Sequence, residues 1–185
     1  MCLKNWLLTG KPGVGKTTII RQLLPSLRGE VGGFFTEEMR EGGRRVGFKL
    51  CEVEGREGIL AHVSFSSPWR VGRYRVRRET MEEIGIPALD RAIAGKDWIV
   101  LDEIGRMELF CPAFQEAILS ALSSAKPVLG VWQERASSLF LGIKKRRDTR
   151  IIPVTLENRD YLGEAILQEI QESFPQWVQV RIRKD

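Results

Sequence analysis

Histidine is almost missing from this chain: His62 is the single one in 185 residues. Cysteine is scarce as well. The 3 cysteines, Cys2, Cys51 and Cys111, are odd in number, lie far apart and include no Cys-x-x-Cys pair. These shortages exclude a Cys/His zinc site and a Ser/His/Asp layout, leaving a carboxylate as the obvious base. Unpaired thiols fit a reducing, cytoplasmic compartment. No apolar run approaches the ~20 residues that cross a bilayer, so no membrane partner is expected. The stretch ahead of Gly10 is too short for a signal peptide. Repeats, low-complexity tracts and dividing linkers are also lacking, and residues 1–185 are expected to form one domain. A monomer is expected.

Negative charge is in slight deficit, with 29 Lys and Arg against 24 Asp and Glu, a net +5. Basic clusters stand at Arg40–Arg45, Arg70–Arg78, Lys144–Arg150 and Arg181–Lys184. A polyanionic small substrate and solvated helix faces explain them more simply than nucleic acid, which stays open as a partner.

What is present alternates strand and helix signals. That predicts an α/β fold with a mainly parallel sheet covered on both faces, hence three layers. Strands are expected at 6–9, 31–36, 98–101, 128–132 and 151–154, and helices at 16–27, 80–94, 109–123, 134–146 and 160–174. The rhythm breaks at about 40–78, where Val46–Val53 and Gly58–Ser64 alternate around the turn Glu54-Gly55-Arg56-Glu57. This reads as an inserted antiparallel hairpin, with a further short strand near Gly72–Val76. The tail 177–182 alternates like an edge strand.

Gly10, Lys11, Pro12, Gly13, Val14, Gly15, Lys16 and Thr17 match G-x-x-x-x-G-K-[ST] in full, with a strand before and a helix after, and Thr18 is expected to join them in binding the nucleotide. The glycines let backbone N–H groups curl around a phosphate, and the helix N-terminus aims ~half a positive charge at it. Lys16 is expected on the β- and γ-phosphates of a nucleoside triphosphate, and Thr17 on Mg²⁺.

The strand Ile99-Val100-Leu101 ends in Asp102-Glu103, a Walker B arrangement. Asp102 is expected to hold magnesium through water. Glu103, one residue on, is suited to polarise an attacking water.

The string Asp102-Glu-Ile-Gly-Arg-Met-Glu-Leu-Phe110, with Gly33–Glu38, Arg40–Phe48, Val71–Tyr74 and Thr155–Asp160, resembles the small nucleoside-triphosphatase family. That family is often named for thermophile ATPase members and for a human cancer-related nucleoside-triphosphatase. The likeness covers nearly the whole chain. It implies a RecA-like P-loop NTPase fold, magnesium dependence and slow hydrolysis of ATP, GTP, CTP and UTP, with weak base preference, to the diphosphate and phosphate. It carries the phosphate loop onto Gly10–Thr17. A second nucleotide-contacting segment falls on Ile99, Val100, Leu101, Asp102, Glu103, Ile104, Gly105 and Arg106.

A lysine often stands in the family where this chain has Arg106, which adds the option of a bidentate clamp. Relatives tend to carry Thr-Ile-Pro or Thr-Val-Pro where this chain has Gly130-Val131-Trp132-Gln133, so Gln133 is a candidate substitute for a γ-phosphate-sensing hydroxyl. Glu37 or Glu38 could order water or magnesium, or simply pair with arginines. A charge-stabilising finger could be Arg44, Arg45, Arg73, Arg106 or Arg146. Asn158 and Arg159 stand where a base could be met, and Asn158 also suits a helix N-cap. Trp69 and Trp132 read as structural before they read as base-stacking.

Two alternatives stay open beside hydrolysis. One is a P-loop kinase, with the arginine-rich insertion as an acceptor lid. The other is a nucleic-acid-associated ATPase. A guanine-reading Asn/Thr-Lys-x-Asp motif is absent.

Overall fold

The computed structural model describes residues 3–133 and 141–178. Strand β1 (Asn5–Thr9) leads through the glycine loop into α1 (Lys16–Leu23) and a 3-10 turn, Leu24–Ser26. The long strands β2 (Val31–Glu41) and β3 (Arg44–Glu52) are followed by β4 (Glu57–His62), β5 (Arg70–Val71) and β6 (Tyr74–Val76). Helix α2 (Arg78–Thr80) runs through a π-helical turn, Met81–Gly85, into α3 (Ile86–Gly95). Then come β7 (Trp98–Ile104), a 3-10 turn at Glu108–Phe110, α4 (Pro112–Ser123) and β8 (Val128–Trp132). Helix α5 (Leu141–Lys144), β9 (Thr149–Pro153) and α6 (Arg159–Ser173) follow.

The strands form a 9-stranded sheet in the order β5-β6-β4-β3-β2-β7-β8-β1-β9. From β2 to β9 along this order the pairing is parallel, and from β2 outward to β5 it is antiparallel. The expected α/β architecture with its antiparallel insertion is therefore what the chain forms. Alternation divides the core between two faces. Leu7, Ile99 and Leu101 point to the side covered by α3 and α4, and join Phe34, Leu89, Phe114 and Ile118. Trp6, Leu8, Trp98 and Val100 point to the side of α1 and α6, and join Ile19, Ile20, Ile166 and Ile170. Strand β7 is buried on both faces, the mark of a central parallel strand.

Strand β2 runs well past the expected end at Thr36. Its first half pairs with β7 as far as Phe35 opposite Asp102, and its second half pairs with β3 from Phe34 to Glu41. The charged Glu37-Glu38 run looked like a strand end, yet β3 supplies ladder partners and neighbouring arginines take the carboxylates. On β4 the strict alternation fails. The register slips so that Lys49 faces Ile59 while Phe48 faces Ala61, and the bulge buries Leu60 and Ala61 together.

The expected helix 80–94 forms, but with the π turn inside it. Pro87 has no N–H to give the carbonyl of Glu83 one turn back. The guanidinium of Arg56 donates to that oxygen instead, at 3.2 Å. Most of the expected helix 134–146 lies outside the described residues, as does the tail strand beyond Val178, which itself makes an antiparallel bridge to Leu27. Among the described residues no helix is long and apolar enough to cross a membrane.

Candidate nucleotide site

The parallel strands end along one edge, where open α/β sheets hold ligands. Strand β1 stops at Thr9 and the chain turns through Gly10–Gly15 before α1 begins at Lys16. Gly13 and Gly15 carry φ of +76° and +110°, a region that costs side chains and lets the loop curl tightly. The Lys16 ammonium lies within that curl, donating to the carbonyls of Gly10 at 2.9 Å and Lys11 at 3.1 Å. Only 7% of Lys16 is exposed. This cation is held against the loop rather than in bulk water.

Two strands away, β7 delivers the carboxylates. Asp102 is 1% exposed. Burial pushes its pKa up to about 7, while the hydrogen bond with the Thr17 side chain pulls the other way. Its Oδ2 is buried with no hydrogen-bond partner among the described residues. A hydroxyl beside an unsatisfied buried carboxylate oxygen is a donor set suited to a hard divalent cation. No group of 3 or more His, Cys, Asp or Glu that could hold a metal occurs among the described residues. The other ligands would thus be phosphate oxygens and waters, as such cations prefer.

Glu103 is half-buried. Burial raises its pKa, and the nearby Lys16 charge opposes the rise. Its backbone N–H donates to the Thr36 hydroxyl on β2 at 3.3 Å, and the Gln133 side chain donates to its Oε1 from the end of β8. The β2 contact therefore fixes the Glu103 backbone, and the contact from the end of β8 fixes one oxygen of its carboxylate. A cavity of about 70 Å³ opens beside it, with Thr36, Glu103, Glu108 and Gln133 in its wall.

Glu108 was not among the residues the sequence singled out. It is 4% exposed, its Oε2 accepts the Gly105 N–H at 2.7 Å, and burial pushes its pKa up to about 7. The only local signal was an acid in an otherwise apolar Met-Glu-Leu-Phe run.

Of the other expected site residues, Ile104 is buried at the end of β7, and Gly105 and Arg106 form the turn after it. Arg106 is exposed and borders the same cavity. Ile99, Val100 and Leu101 are fully buried within the sheet and serve to carry β7 to the edge. The loop after β9 lies against the phosphate loop, with Val154 N–H donating to Thr9 O at 2.7 Å. In that loop Asn158 does not cap α6 through its side chain. It accepts from the Thr155 N–H at 2.8 Å and donates to Pro153 O at 2.9 Å, holding the loop shape. Arg159 is exposed beside Asp160.

Several candidates are committed elsewhere. Glu37 pairs with Arg21, and Glu38 with Arg40 and Arg45. Arg45 and Arg73 lie over the Tyr74 ring in the insertion. Arg146 binds Asp148 and the carbonyl of Leu122, the residue near the other end of the sheet that also accepts from Lys4. Trp132 is buried beneath the Lys144 ammonium, and Trp69 lies under Arg78. His62 is paired with the Ser64 hydroxyl on the insertion.

A strand–loop–helix phosphate cradle facing a buried Asp-Glu strand end defines a P-loop protein of the α/β class. The family profile described as NTPase matches residues 5–167, and the chain belongs to that family. It is 48% identical over 176 residues to the nucleoside-triphosphatase THEP1 of Thermofilum pendens, covering 92% of this chain and 97% of that one. The human cancer-related nucleoside-triphosphatase is 37% identical over 92% of this chain and 98% of its own length. Among solved structures, THEP1 from the hyperthermophile Aquifex aeolicus superposes with a TM-score of 0.81 at 33% identity, covering 90% of this chain and 99% of that chain.

Proposed function

We propose that the chain hydrolyses nucleoside 5′-triphosphates to the diphosphate and phosphate, with magnesium as its cofactor and little preference among ATP, GTP, CTP and UTP. The observation that carries this reading is the juxtaposition of Thr17 with a buried Asp102 whose Oδ2 is unpartnered, next to a Glu103 held by Thr36 and Gln133. The names of the relatives support the same class of substrate.

In this reading the glycine loop and the α1 N-terminus bind the β-phosphate, and Lys16 neutralises charge on the β- and γ-oxygens. Thr17 and Asp102 would hold the magnesium shell. When bound there, the ion would supply Lewis-acid stabilisation of negative charge on the phosphates. Glu103 orients a water in line with the bond to be broken and accepts its proton. Arg106, which lines the cavity, is the candidate to meet charge on the transferred phosphoryl group. The lack of a guanine-reading motif agrees with weak base discrimination.

The test is phosphate release from the four triphosphates with Mg²⁺, in wild type, Lys16→Ala and Glu103→Gln. Turnover of several nucleotides, lost in both variants, with Glu103→Gln still binding nucleotide, is the expected result. Nucleotide binding by wild type with no phosphate released would end the hydrolase reading.

A further inference from the structure

The order of the sheet gives a bound triphosphate a direction. The phosphate loop follows β1, and Asp102 and Glu103 end β7, two strands away across β8. Strand β9 flanks β1 on the other side. With strands ~4.8 Å apart, β7 stands ~10 Å from β1 on one side and β9 ~5 Å from it on the other. A nucleotide with its β-phosphate in the loop and its γ-phosphate toward the acids must therefore send its sugar and base toward the end of β9. The backbone there touches the loop. Val154 N–H donates to Thr9 O at 2.7 Å, and a Cβ on Gly10 would meet the Val154 carbonyl at 2.5 Å.

The segment after Val154 uses its polar side chains on itself. Asn158 accepts from the Thr155 N–H and donates to Pro153 O, and Glu157 hydrogen-bonds with the Thr155 side chain. Arg159 lies 3.5 Å from Asp160. What the segment offers to solvent is apolar. Among the described residues three large hydrophobic side chains stay exposed, and two of them are here: Leu156 at 66% and Tyr161, in the first turn of α6, at 60%. The third, Val63 in the insertion, is exposed by 38%. Every nucleobase has a flat π face that apolar and aromatic side chains can cover, and contact with that face takes no account of the donors and acceptors on the base edge.

We propose that Leu156 and Tyr161 form an apolar shelf on which the nucleobase rests by its face, and that this shelf, rather than Asn158 or Arg159, is the base subsite. The proposal rests on the reading of this sheet edge as a nucleotide site. It gives weak base preference a physical cause. A shelf that meets only the face adds affinity without comparing base edges, whereas a buried donor or acceptor would reject a mismatched edge. Differences between nucleotides then follow ring area. ATP and GTP should bind alike, and slightly tighter than CTP and UTP.

Calorimetric titration of the full chain with Mg²⁺ tests the shelf. The probes are the β,γ-methylene analogues of the four triphosphates and inorganic tripolyphosphate, which has the phosphates and no base. Wild type should bind each analogue about tenfold tighter than the double variant Leu156→Ser with Tyr161→Ser, a difference of ~1.4 kcal/mol. Tripolyphosphate should bind both proteins alike, and Tyr161→Phe, which keeps the ring, should keep wild-type affinity. Both residues are exposed, so thermal unfolding of the double variant should match wild type. Equal affinity of the two proteins for the analogues overturns the shelf, and a smaller sedimenting species in the double variant would then make the patch a contact between copies of the chain. Tripolyphosphate weakening in step with the analogues also overturns it, because the two residues would then serve the phosphate loop. If wild type binds none of the analogues, the nucleotide reading falls together with the shelf.

Discussion

Gln133, the residue after β8, donates its side-chain N–H to Oε1 of Glu103 on the neighbouring strand β7. In the proposed mechanism this carboxylate orients a water and must be held, and a hydrogen bond to a charged group is worth ~1.5–3 kcal/mol. Gln133→Ala should therefore lower kcat by roughly ten- to a hundredfold with KM little changed. Steady-state kinetics on ATP decide it. A raised KM at constant kcat would make Gln133 a binding residue instead.

Asp102→Asn keeps the shape but removes the charge beside Thr17. The variant should need at least about tenfold more Mg²⁺ to support nucleotide binding, a difference of ~1.4 kcal/mol. Calorimetric titration of nucleotide at several metal concentrations reads this directly. Identical metal dependence in both proteins would remove Asp102 from the cation site.

Glu108 offers a pH test of stability. Its folded pKa of about 7 stands above the ordinary 4.5, so the folded state binds its proton more tightly. The stability it contributes is complete below the unfolded value and is lost as pH rises through the folded one. Glu108→Gln keeps an acceptor for the Gly105 N–H and carries no charge. The variant should match wild type on the acid side of this window and become the more stable of the two on the alkaline side, by up to about 3 kcal/mol. Urea unfolding on both sides of the window measures the difference, and parallel curves would mean that Glu108 stays ionised at no cost.

Arg91 on α3 donates to Glu52 on β3 at 3.1 Å, and the Glu52 side chain is only 2% exposed against 43% for Arg91. Removing the partner strands a buried carboxylate. Arg91→Ala should cost about 2 kcal/mol, discounted because one partner is wet. Thermal unfolding checks it, and Glu52→Gln with Arg91→Ala should recover part of the loss.

The phosphate loop and the end of β7 were legible because each is a contiguous pattern whose chemistry is fixed by neighbours in the chain. The same holds for the hairpin turn, where Glu52 N–H meets Arg56 O at 2.7 Å. What was not legible depends on partners distant in sequence. The second half of β2 is a strand because β3 lies beside it, and its charges gave no hint of that. Glu108 is buried where the turn after β7 packs against α4, with Gln115 donating to its carbonyl at 3.2 Å. The π turn needed Pro87 to be read together with Arg56.

Strand β2 belongs half to the parallel sheet and half to the insertion, and the join falls at Phe35 and Thr36. The insertion is thus no detachable ornament. Trimming β3 to β6 from the chain would leave Thr36–Glu41 as a bare edge with its ladder groups unpaired, open to recruiting another chain. A shortened protein of this kind should be sought in the aggregate before its turnover is measured.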